Sequence, residues 1–170
     1  ILHTKYSPMI SLDLIKQLRE RTGASLQACK KALEETNGDE NAAIEILRKK
    51  GEAKAATRGD RDTREGTVAI AQQGTKAVML QLACETDFVA KSPDFVGAAE
   101  QLAHDYLKQS ESFDPSALLN DLGLKMGEKI TLGAVKFLEA PVLGDYIHSN
   151  RKIGTLVALD SGSHELAKDI

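Results

Sequence analysis

The sequence predicts an α+β protein, in which a bundle of three short helices precedes a core of antiparallel sheet and helices. Three observations support this class. Apolar residues recur at helical spacing over the first fifty residues. A charged segment without large apolar side chains follows at 52–66, where we place a charged linker or helix between two domains. Beyond it, two apolar runs separated by a polar, glycine-containing turn are typical of a β-hairpin.

The first domain, predicted at 11–51 after an N-terminal extension at 1–10, has clear helix boundaries. Each helix follows a residue whose side-chain oxygen can accept a hydrogen bond from a free backbone amide: Ser11, Ser25 and Asp39. Each is expected to end where glycine or asparagine tolerates positive φ: at Gly23, at Asn37 with Gly38, and at Gly51. These signals predict three amphipathic helices joined by tight turns.

The second domain is predicted at 67–170 and contains strands in hairpin order with helices after them. We expect strands at 67–71, 77–83, 129–138 and 155–159, and helices at 93–108 and 114–125. Residues 84–93 are expected to form a loop, and Ser163 to cap a final helix. This arrangement favours an antiparallel sheet covered by helices.

Composition argues against several functional classes. The 170 residues include 22 Lys plus Arg against 25 Asp plus Glu, for a net charge of -3. A protein that coats nucleic acid or an anionic membrane normally has a basic excess, so neither partner is expected. No apolar run approaches the roughly 20 residues that span a bilayer. Cys29 and Cys84 lie far apart among apolar neighbours and are expected to be buried thiols.

Motifs for catalysis or cofactor binding are nearly lacking. The sequence has no phosphate-binding glycine loop, and its four histidines show no metal-ligand spacing, so we expect neither a cofactor nor a metal. Glu85 and Asp87 could form the acid and base of a hydrolase if burial raised one carboxyl pKa. Solvated surface carboxylates are the simpler interpretation.

Two segments remain candidates for binding a partner. Phe88 stands beside Asp87 directly after a predicted strand, where it could fill a partner's pocket or pack into this protein's own core. The turn at 22–25 could pack on a partner's helices. A helical protein-binding module at 11–50, without further activity, is therefore an alternative function.

Collinear motifs extend over nearly the whole chain from Leu12 onward. They are LRERTG at 18–23, CKKAL at 29–33, NGD at 37–39, CETDFVA at 84–90, MGEKI at 126–130, GDYIH at 144–148 and IGTLV at 153–157. In order and spacing the sequence resembles the translation elongation factor Ts family. The resemblance implies an N-terminal domain similar to ubiquitin-associated modules.

The resemblance also implies a function and a site. Members of that family are guanine-nucleotide exchange factors for elongation factor Tu. Such exchange factors make and break no covalent bonds. By analogy, Asp87 and Phe88, flanked by Thr86 and Val89, face the partner GTPase and disturb its Mg²⁺ site. Further partner contacts are implied for Arg19, Thr22 and Gly23 in the first turn, and for His148.

Two expectations concern the extent and location of the protein. The resemblance implies a second half of the core beyond Ile170, so that the core at 67–170 is expected to be incomplete. The residues before Ser11 contain no acid, which favours a mitochondrial homologue and the mitochondrial matrix. The alternative location is the bacterial cytoplasm.

Overall fold

Three N-terminal helices are followed by a three-stranded sheet, covering helices and a separate two-stranded hairpin, which confirms the predicted α+β class. The computed structural model describes residues 10–169, apart from the side chains of 54–56. Most of the predicted extension at 1–10 therefore lies outside the described residues. The helices are α1 (Leu12–Thr22), α2 (Leu26–Glu35), α3 (Glu40–Ala56), α4 (Asp87–Ala90), α5 (Pro93–Gln109), α6 (Ser116–Met126) and α7 (His164–Asp169). The strands are β1 (Glu65–Gln73), β2 (Lys76–Cys84), β3 (Thr131–Glu139), β4 (Val142–Ile147) and β5 (Gly154–Leu159).

The predicted N-caps of the bundle are confirmed. The side-chain oxygen of Ser11 accepts from the Leu14 amide at 3.1 Å, and Ser25 accepts from Ala28 at 3.2 Å. Asp39 accepts from the Ala42 amide in the same way at 3.0 Å. The apolar stripes of the three helices then meet in one core, which contains Leu18, Cys29, Ala32, Leu33, Ala43 and Leu47.

The predicted end of the third helix at Gly51 is wrong, because α3 continues to Ala56. Gly51 is buried against α6, and a β-carbon there would lie 2.9 Å from Leu124 Cδ1. The glycine therefore permits a close contact between two helices and does not end one. The charged segment predicted at 52–66 consequently starts inside α3 and ends inside β1, and the division into two domains stays a prediction.

The predicted hairpin is confirmed and is longer than expected. β1 and β2 pair from Glu65 with Cys84 down to Gln73 with Lys76, and β3 joins the free side of β2. Polar residues extend both strands because backbone hydrogen bonds do not require apolar side chains. α5 packs on this sheet and buries Phe95, Leu102 and Tyr106 against it.

A strand that the sequence did not predict, β4, pairs antiparallel with β5. Its exposed Asp145 and Tyr146 interrupt the apolar alternation by which a strand is detected. The hairpin lies against β1, where the Val68 amide donates to the Arg151 carbonyl at 2.7 Å. The predicted Ser163 cap of the last helix is confirmed by its bond to the Leu166 amide. No helix among the described residues is long and apolar enough to cross a membrane.

Candidate functional site

α4 (Asp87–Ala90) is one helical turn shortly after β2, where the sequence predicted a loop. Thr86 caps α4 with its hydroxyl, which accepts from the Val89 amide at 3.4 Å. The Thr86 carbonyl accepts from the Ala90 amide at 3.1 Å. Thr86 and Asp87 suit the start of a helix because they offer an acceptor and a negative charge to its free amides. The turn fixes the directions of the two side chains at its centre.

Phe88 projects into solvent from this turn, with 84% of its surface exposed. Val89, the next residue, packs against the core, and Phe95 is completely buried. The interpretation of Phe88 as a core residue is therefore wrong. An exposed aromatic ring on an ordered turn has the properties of a residue that anchors a partner.

The carboxylates of Glu85 and Asp87 each accept a hydrogen bond from a lysine, through its backbone amide or its ammonium. A hydrogen bond from Lys91, at 2.7 Å, lowers the pKa of Asp87. The Lys129 backbone amide, 2.6 Å from the Glu85 carboxylate, is the main cause that lowers the pKa of Glu85, and Arg61 adds to it. A general acid needs a raised pKa, and the pKa of neither carboxyl is raised, so both shifts argue against the hydrolase hypothesis.

A groove of about 890 Å³ separates α4 from the turn between β4 and β5. Asp87, Phe88 and Lys91 line one side, and residues 149–152 line the other. That turn is held to the core by ion pairs, one between Arg151 and Glu100 and one of 2.6 Å between Lys152 and Glu65.

His148 lies at the base of the same turn, where its carbonyl accepts from the Arg151 amide at 2.7 Å. Its imidazole is exposed, and Nδ1 is 2.9 Å from the Tyr146 hydroxyl. His148 is therefore adjacent to the residues that line the groove.

The first bundle turn is more structural than the sequence suggested. Arg19 is exposed, but the Thr22 hydroxyl donates to the Leu18 carbonyl at 2.7 Å within its own helix. Gly23 ends α1 with φ of 67°, and a β-carbon there would lie 2.6 Å from Lys125 Cγ on α6. Of these three residues, Arg19 is the one with a side chain that is fully available to a partner.

An ion pair connects this turn to the start of α5. The aliphatic part of Lys125 packs on Gly23. Its ammonium lies 2.7 Å from the carboxylate of Asp94, in the first turn of α5. α4 ends three residues before α5 begins. The bundle turn and the start of α5 are thus both contacted by one lysine of α6.

Glu128, to which no sequence pattern assigned a role, contacts the residue that caps α4. Its carboxylate accepts from the Glu85 amide at 2.9 Å, the Thr86 amide at 3.1 Å and the Thr86 hydroxyl at 2.6 Å. The contacts join residues more than forty positions apart, so no local pattern could have revealed them. Only the position of Glu128 within the MGEKI motif was visible in the sequence.

Cys84 supports the same turn from below. Its buried thiol donates to the Thr86 carbonyl at 3.2 Å. Burial, followed by the nearby Glu128 and Glu65 carboxylates, raises the pKa of this thiol to about 11. Among residues 10–169, no group of three or more His, Cys, Asp or Glu side chains is arranged to hold a metal ion.

Comparisons with known proteins show the family of this chain. Residues 85–170 match the sequence model of the family described as Elongation factor TS. The chain belongs to the elongation factor Ts family. It is similar to Elongation factor Ts of Christiangramia forsetii, with 43% identity over 92% of this chain and 62% of the relative. The relative from Deinococcus radiodurans is 41% identical over 94% of this chain and 65% of its own length. The relative from Aeromonas hydrophila is 40% identical over 95% of this chain and 59% of its own length. The chain thus spans about three-fifths of the length of these relatives.

Proposed function

We propose that this protein is a guanine-nucleotide exchange factor that acts on elongation factor Tu during translation elongation. Membership in the elongation factor Ts family supports the partner and the process. The observation that carries the proposal to particular residues is the exposure of Phe88 on a capped, internally bonded turn. In this proposal the protein makes or breaks no covalent bond and uses no cofactor of its own.

The proposed mechanism acts on the Mg²⁺ ion of the partner. Phe88 enters a pocket of the GTPase and Asp87 brings a negative charge beside the nucleotide site. A bound divalent cation is often the largest local charge in such a site, so its disturbance weakens the hold on the GDP phosphates. Thr86 and Val89 hold the two active residues in place, through the cap and the core contact respectively. GTP then binds to the emptied site.

Secondary contacts are proposed on both sides of this turn. Arg19 supplies an exposed guanidinium from the bundle, while Thr22 and Gly23 shape the turn that presents it. His148 contributes from the hairpin beside the groove. These contacts are supported by exposure and proximity, and they distribute the partner surface over the two predicted domains.

The compartment stays a prediction. The relatives compared above are bacterial, which favours the bacterial cytoplasm over the mitochondrial matrix as the proposed location.

Release of a fluorescent GDP from elongation factor Tu tests the function. The release rate should rise with the concentration of this protein and reach a plateau. Because coupling between ligands is reciprocal, GDP should weaken binding of this protein to the GTPase by the factor by which this protein weakens GDP binding, on the order of 5- to 150-fold. A release rate that stays unchanged at every concentration would refute the proposed function.

A further inference from the structure

We propose that Glu128 is a positioning residue, whose carboxylate holds the α4 turn in the conformation that engages the partner. The functional part of this proposal rests on the proposed exchange activity. Glu128 lies outside α4, in the connection between α6 and β3, and it is half-buried. It therefore acts on Asp87 and Phe88 through the residue that caps their helix.

The segments 85–86 and 128–129 are joined in both directions, because the carboxylate of each segment accepts from backbone amides of the other. Glu128 accepts from the backbone amides of Glu85 and Thr86. In return, Glu85 accepts from the backbone amide of Lys129 at 2.6 Å. Hydrogen bonds to ionised groups are about twice as strong as neutral ones, and here each carboxylate satisfies amides of the opposite segment. We call this pair of contacts the carboxylate clasp.

The clasp also sets the direction of the Thr86 hydroxyl. A hydroxyl has one proton and two lone pairs. Its proton is donated to Glu128 Oε1 at 2.6 Å, so the lone pairs are left to accept from the Val89 amide. Glu128 thereby makes Thr86 an acceptor at the start of α4, which is what an N-cap requires.

The second segment of the clasp is itself anchored. The Lys129 ammonium donates to the carbonyls of Gly59 and Arg61 at 2.6 and 3.0 Å. The Arg58 guanidinium donates to the carbonyls of Gly123 and Glu128 at 3.1 and 3.3 Å. These bonds tie the segment that carries Glu128 to the loop between α3 and β1 and to the end of α6.

Amide hydrogen exchange of Glu128→Ala tests the positioning directly. The Val89, Ala90 and Lys91 amides, which bond within the α4 turn, should exchange at least about tenfold faster, since the lost bonds involve a charged group. The amides at the centre of the β1–β2 pairing should be unchanged, which shows that the fold is intact. Glu111→Ala, which removes an exposed carboxylate remote from the clasp, is the matched control and should change neither set.

Glu128→Gln separates the charge and hydrogen-bond pattern from the size of the side chain. Its one oxygen can still accept from the two backbone amides, but its amide nitrogen would face the Thr86 hydroxyl as a donor. The hydroxyl then loses its acceptor and the cap weakens. We expect exchange rates of the α4 amides between those of the wild-type protein and those of Glu128→Ala.

The functional arm measures GDP release at increasing factor concentration. A turn that is only partly in its competent conformation lowers apparent affinity by the competent fraction. Glu128→Ala should therefore raise the half-saturating concentration roughly threefold or more and keep the plateau rate. Unchanged α4 amide exchange, or an unchanged half-saturating concentration, would overturn the proposal. No acceleration by wild-type protein would refute the exchange function, while the amide comparison would still decide whether Glu128 holds α4.

Discussion

Phe88 and Phe95 lie seven residues apart and have opposite environments, one mostly in solvent and one completely buried. Phe88 lies in α4, which Thr86 caps, and Phe95 lies in the first turn of α5, which Ser92 caps. At the scale of single residues, Glu85 likewise has a structural role, as a hydrogen-bond acceptor. Its carboxylate accepts from the Lys129 backbone amide and lies 3.2 Å from the Arg61 guanidinium.

The lowered pKa of Glu85 predicts a pH-dependent stability effect of Glu85→Gln. A depressed folded-state pKa means that the carboxylate stabilises the protein above its ordinary pKa, and that this contribution is lost as pH falls through the folded-state value. We expect Glu85→Gln to lower the free energy of unfolding by about 1 kcal/mol at pH 7, with a difference that shrinks below about pH 4.5. Urea unfolding from pH 7 to pH 3 measures this. A difference independent of pH would contradict it.

At the scale of elements, helix caps depend on residues close in sequence, whereas the roles of the glycines depend on distant parts of the chain. Each predicted cap of the bundle formed as expected, because a cap depends on residues three or four positions apart. Gly23 and Gly51 looked alike in sequence, as two helix stops. Both pack against α6, but Gly23 ends its helix with a positive φ, whereas Gly51 lies inside α3. Such contacts depend on tertiary packing.

Two glycine substitutions test the role of Gly23 as a helix end. Gly23→Ala forces alanine into positive φ and against Lys125, so it should destabilise the protein by about 1–2 kcal/mol. Gly97→Ala is the matched control, because Gly97 is exposed within α5 and a β-carbon there meets nothing within 4 Å. It should stabilise the protein by about 0.5–1 kcal/mol through helix propensity. Chemical denaturation measures both, and equal effects of the same sign would contradict the assignment.

At the scale of the whole molecule, periodicity and turn residues were sufficient to predict the α+β class and most elements. They missed β4, whose alternation is broken by exposed polar residues, and they did not reveal that the β4–β5 turn lies across a groove from α4. The site was only partly predictable for a related reason. The motif identified residues 84–90, but the hydrogen bonds that join it to Glu128 connect residues more than forty positions apart and form only in the folded protein.

The proposed role of the Phe88 ring is to drive nucleotide exchange. It is tested most directly by GDP release from elongation factor Tu with Phe88→Ala, beside Leu166→Ala, which truncates an exposed apolar residue on α7. Loss of an interface hot spot costs about 2 kcal/mol, so the concentration-normalised rate should fall roughly thirtyfold for Phe88→Ala and stay unchanged for Leu166→Ala. Because Phe88 is exposed, its variant should unfold within about 0.5 kcal/mol of wild type. An exchange rate equal to wild type in folded Phe88→Ala would contradict the proposed role of the Phe88 ring.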